Sequence, residues 1–67
     1  MNTVADKDQV CEALCVLLEN GEDVHRTVVA QTLGRMGYVE AVPDLIQGLL
    51  DEDEDVRTDV AAALAEL

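Results

Sequence analysis

The chain has no Phe and no Trp, and Tyr38 is its only aromatic residue. The large burial increments that aromatic rings supply are therefore missing, so a core must come from Leu, Val, Ile, Ala and Met. Positive charge is nearly as scarce. Four basic side chains stand against fifteen acidic ones, for a net charge of −11, and Lys7 is the only lysine. Nucleic-acid binding is driven by Lys and Arg neutralising phosphates, so this balance argues against it and equally against an anionic membrane surface. A basic protein partner or simple solubility remains.

Cysteine is limited to Cys11 and Cys15. Helical positions four apart do not readily give disulfide geometry, and two cysteines are too few for a secreted scaffold. No basic segment followed by an apolar run opens the chain, so no signal peptide is expected and the cytoplasm is the expected location. No apolar run approaches the length of a membrane span. A chain of 67 residues makes one thin domain, 1–67, of marginal stability. Such a chain is expected to lean on an oligomer partner or to belong to a longer array.

What is present is a repeat. Setting Val10–Met36 over Ala41–Leu67, an offset of 31, places Leu14 on Leu45, Leu18 on Leu49, Arg26 on Arg57 and Thr27 on Thr58. Val29 then falls on Val60, Ala30 on Ala61 and Leu33 on Leu64, without a gap. The units run from about 6 to 37 and from about 38 to 67. Each reads as two helices joined by an acidic turn, and no strand pattern competes.

Asp6 is placed to cap the first helix, with Gln9 at the capping-box position. Val10, Leu14, Leu17 and Leu18 form its apolar stripe. Asn20-Gly21 predicts a left-handed stop, Asp23 a cap for the second helix, and Gly37 its end. Val29, Leu33 and Met36 recur at helical spacing between them. The third helix is predicted to start between Val39 and Pro43, since proline is tolerated in a first turn. Val42, Leu45, Ile46 and Leu49 are its predicted buried face. Asp51–Asp55 is the next turn, with Asp55 as cap, and Val56, Val60, Leu64 and Leu67 form one stripe. That last helix ends on an apolar residue without a closing signal. A finished stack shields its end with a polar face, so further repeats or another copy of the chain are expected to cover it.

The segments Ala41-Val42-Pro43-Asp44-Leu45, Leu49-Leu50-Asp51 and Val56-Arg57, followed by Ala61–Leu64, resemble the HEAT-like repeat of phycobilisome-lyase proteins. Leu33-Gly34-Arg35-Met36-Gly37 is similar to that family's closing pattern, and His25-Arg26 replaces its Val-Arg. The resemblance implies an all-α stack of two helix hairpins, a short HEAT-like α-solenoid. It also implies that Arg26 and Arg57 are a structural pair, tying the stack to acidic residues near the turns, with Asp23, Asp51 and Asp55 available. A guanidinium fork suits that role.

No residue set marks an active site, so an enzyme is not expected and no cofactor is implied. Asp51–Asp55 alternates carboxylates, but a calcium loop starting at Asp51 needs glycine and glutamate where Val56 and Ala62 stand. Cys11 and Cys15 are at most half of a zinc site, with His25 the only other soft candidate. His25 itself lacks a nucleophile or carboxylate partner at a recognisable spacing. The remaining candidate is a partner-binding face: Thr27, Gln31 and Arg35 step by four along the second helix, and Thr58, Ala62 and Glu66 along the fourth. The expected function is a non-enzymatic protein-interaction module that docks a partner protein or its own copy. The alternatives are an accessory subunit of a bilin lyase-like assembly and a thiol-based metal or redox module.

Overall fold

The computed structural model describes residues 6–67, which form four α-helices and no strand. Helix α1 spans Lys7–Asn20, α2 Asp23–Met36, α3 Val42–Gly48 and α4 Glu54–Glu66. A single 3-10 turn, Val39–Ala41, leads into α3. Helices α1 and α2 form one hairpin, α3 and α4 the other. The hairpins stack chiefly through α2 against α4, while α1 and α3 touch more lightly. This is the two-hairpin all-α stack that the repeat implies.

Local chemistry sets the helix ends. The Asp6 carboxylate accepts from the Asp8 amide at 2.8 Å, and the Gln9 side chain returns to the Asp6 amide, a complete capping box. Gly37 closes α2 in the left-handed conformation at φ 69°, where a β-carbon would be strained. The Tyr38 amide donates back to the Leu33 carbonyl and the Gly37 amide to that of Gly34, the Schellman pattern. Pro43 sits in the first turn of α3, where its missing amide proton costs nothing.

Three expected caps are corrected. Asp53, not Asp55, caps α4: its carboxylate accepts from the Asp55 and Val56 amides at 2.8 and 3.1 Å. Glu22 occupies the cap position of α2 without a side-chain bond, and Asp23 is already helical. Gly21 is extended rather than left-handed, at φ −73° and ψ 171°. In the turn before α4 several carboxylates compete, and Asp53, whose backbone is extended ahead of the first turn, does the capping.

The core joins both hairpins: Cys11, Leu18, Val29, Ala30, Leu33, Tyr38, Ala41, Leu45, Val56, Val60 and Ala63 are all buried. Val10, Leu14, Cys15, Leu64 and Leu67 pack at its edge. The apolar stripes need correction here too. Leu17, Met36, Ile46 and Leu49 were expected inside and are exposed. Helical periodicity gives a face but not which flank of that face a neighbour covers.

Candidate interaction surface

The joint between the hairpins is built on Arg26. Its side chain lies half-buried near the start of α2 and reaches across to the turn of the second hairpin. Nε and Nη2 donate to the two Asp51 carboxylate oxygens at 2.8 and 2.9 Å, a bidentate fork, and Nη1 donates to the Gly21 carbonyl at 2.6 Å. Asp51 is thus the partner, whereas Asp23 turns its carboxylate to the Val24 amide and Asp55 lies exposed. The guanidinium holds the Asp51 carboxyl below its ordinary value against the opposing effect of desolvation, with help from the Asp53 amide. Arg26 is in turn pushed up, first by that hydrogen bond.

Arg57 stands differently. It is exposed, and its Nη1 donates at 2.6 Å to the main-chain carbonyl of Asp51. One aspartate therefore takes both arginines, one on its side chain and one on its backbone.

Above this joint, α2 and α4 border an open groove of about 290 Å³ lined by Asp23, Val24, Thr27, Asp53, Asp55, Thr58 and Asp59. Thr27 and Thr58, expected to share a face, do meet here. Their hydroxyls donate to the carbonyls of Val24 and Glu54. Gln31 spans the two helices, its Nε2 donating to the Asp59 carboxylate at 3.1 Å. Arg35, Ala62 and Glu66 are exposed further along, and no ion pair joins Arg35 to Glu66 among the described residues. The helices approach closely between these positions. A β-carbon on Gly34 would lie 2.8 Å from the Ala63 Cα and 2.9 Å from the Glu66 carboxylate.

Asp53 and Asp59 are groove residues that the stepping-by-four pattern did not include. Asp59 neighbours Thr58 and stands where the first repeat has the exposed Val28, a mismatch visible as a charge in place of an apolar residue.

The other candidate groups lie elsewhere. Cys11 is buried and Cys15 half-buried, both as free thiols, beside a cavity also lined by Asp8, Glu12, Glu40 and Asp44. Burial first, and then the Asp44 carboxylate beside it, push the Cys15 thiol far up, away from a reactive thiolate. Among the described residues no three His, Cys, Asp or Glu side chains group so as to hold a metal ion. His25 is exposed, with Nδ1 3.9 Å from Glu22. No described helix is long and apolar enough to cross a membrane.

The family model for HEAT repeats matches residues 3–67, nearly the whole chain. No curated protein and no solved structure matches it. The chain belongs to the HEAT-repeat family, whose members generally mediate protein–protein interaction.

Proposed function

We propose that this HEAT-repeat chain is a non-enzymatic protein-interaction module whose α2/α4 face receives a basic segment of a partner protein. The observation that carries this reading is the groove itself. Four aspartates, Asp23, Asp53, Asp55 and Asp59, line it together with Thr27, Thr58 and Val24, with no Lys or Arg among the lining residues. Carboxylates drawn together this way repel one another and favour a cationic guest. Gln31, Arg35, Ala62 and Glu66 extend the face beyond the groove, and Gln31, Arg35 and Glu66 give the partner polar contacts once it is steered in. Residues 1–67 act in this reading as one domain, with repeat one at about 6–37 and repeat two at about 38–67, working in the cytoplasm.

Amide chemical shifts during titration test this with two probes, an oligolysine peptide and an oligoglutamate peptide, at physiological salt. Oligolysine is expected to move Thr27, Thr58, Asp59 and their neighbours in a saturable way, and Asp59→Asn to weaken that response. Shifts scattered over every acidic surface, Glu12 and Glu40 included, would sink the assignment of this face.

The likeness of Ala41–Leu45 to phycobilisome-lyase repeats supports one more reading, an accessory subunit that assists bilin attachment. Absorbance on mixing with a free bilin tests it, and an unchanged pigment spectrum removes it. The thiols have a structural role in the proposed reading, given the burial of Cys11 and the raised pKa of Cys15.

A further inference from the structure

At two matched positions of the α2/α4 face the repeats disagree. The offset of 31 places Asp55 on Val24 and Asp59 on Val28, whereas Thr27 and Thr58 agree. Each pair steps by four, so it forms a short row along its own helix. Val24 and the aspartates line the groove, and Val28 continues the apolar row one turn further along α2. The two valines are 59% and 56% exposed. A single exposed valine is ordinary, but here two stand in register with an acidic row. The groove has two unlike walls.

The acidic wall narrows to two residues. Asp23 and Asp53 each spend a carboxylate oxygen on amides at a helix start, which ties them to the fold. Asp55 is exposed, and Asp59 is held beside the groove by the Gln31 amide at 3.1 Å.

The floor decides the conformation of a guest. It consists of two helices whose backbone groups are bonded along each helix, and the Thr27 and Thr58 hydroxyl protons go to the carbonyls of Val24 and Glu54. An extended segment would lay its own amides and carbonyls on a surface that offers them no backbone partner. A helix arrives with those groups already paired.

We propose that this groove receives an amphipathic cationic helix of a partner protein, with an apolar row against Val24 and Val28 and a Lys or Arg row against Asp55 and Asp59. Adjacent residues of a helix diverge by about 100°, so rows one residue apart suit the two walls of one groove. The mismatch between the repeats is what makes the site selective. Valine on both helices would accept any apolar face, and aspartate on both would accept any cation. A second copy of this chain is no such guest. Its four basic side chains, Lys7, Arg26, Arg35 and Arg57, form no row of step four, and each copy brings a net charge of −11.

The proposal rests on the interaction-module reading and names the partner of the same groove. Two helix-forming peptides of identical composition test it through amide chemical shifts. One carries leucines in a row of step four and lysines in the row one residue on, and the other carries the same residues scrambled. The ordered peptide is expected to bind about tenfold more tightly, through apolar surface buried on the two valines. It is also expected to gain helical circular dichroism on binding. Replacing both valines, Val24→Ser with Val28→Ser, is expected to abolish the preference and leave the oligolysine response unchanged. Equal affinity of the two peptides for the native chain overturns the amphipathic helix and leaves the basic-segment reading standing, and that comparison needs no variant. An ordered peptide that binds without becoming helical, or a preference that survives the loss of both valines, overturns it too. A groove that neither peptide nor oligolysine touches removes both readings together. Oligomers of the chain that Val28→Ser dissolves would hand the groove to a second copy and overturn the proposal as well.

Discussion

Helices α1 and α3 open their hairpins from matched stretches of sequence, yet α1 runs for 14 residues and α3 for 7. The first is started by a full capping box and meets no breaker before Asn20. The second is entered through a 3-10 turn at Val39–Ala41, carries Pro43, and stops at Gly48. Gly48 matches Leu17 in the offset, and the two show why the lengths differ. Leu17 points outward and is exposed. A β-carbon on Gly48 would lie 2.8 Å from Val60 Cγ2, so the short helix sits tight against α4. A repeat in sequence therefore fixes which helices face each other, while glycine and proline decide how closely.

Matched substitutions in the two hairpins break or sharpen this contrast. The largest effect is expected at Leu45, which is fully buried, against Leu14, which is half-buried. Leu45→Ala is expected to cost about 3 kcal/mol and Leu14→Ala about 1 kcal/mol, read from denaturant midpoints. For a chain this small, the first loss is expected to leave much of the population unfolded. Equal losses would show that the hairpins pack alike.

Next comes the joint. Asp51→Ala removes the acceptor of a bidentate charge-assisted pair and is expected to cost about 2 kcal/mol, visible as a drop in melting temperature. Asn20→Ala, at the matched position, removes only an exposed bond to the Val16 carbonyl and is expected to cost a few tenths of that. Gly48→Ala sets a gain in helix propensity against contact with a stiff valine, and a net loss of about 1 kcal/mol is expected. Leu17→Ala is expected to be nearly neutral when read from denaturant midpoints, and a loss equal to that of Leu45→Ala would remove the contrast.

The smallest effect is on pH. The Asp51 carboxyl is held below its ordinary value of 3.8, so its contribution is complete above that value and disappears as pH falls through the lowered one. Urea midpoints taken downwards from about pH 4 are expected to fall more steeply for the native chain than for Asp51→Asn, which has no proton to gain. Parallel curves would mean that the Arg26 fork contributes nothing to the folded state.

Much of this fold was legible in the residues. Asp6 with Gln9, Gly37 and the match of Arg26 to Arg57 each rest on local or pairwise chemistry, and the structure places them in one two-hairpin stack. The caps in the acidic turns were not legible, because Asp51, Asp53 and Asp55 all carry the right side chain and only backbone shape separates them. Nor was the fate of Ile46, Leu49 and Met36. Their spacing is that of a core stripe, but burial depends on a neighbour that periodicity does not describe. Within the candidate face, Thr27, Gln31 and Thr58 were found by their step of four. Asp59 lies off that step, at a place where the two repeats disagree.

Tyr38 is buried at the junction where α2 hands the chain to the second hairpin, with the Lys7 ammonium 5.3 Å from its ring centre. No tryptophan accompanies it in the chain, so its emission reports on this one place without energy transfer to an indole. The molecule thus carries a native optical reporter at the junction of its two hairpins. Tyrosine fluorescence and its quenching by small solutes are expected to register any loss of this buried contact, with no label to perturb so thin a core.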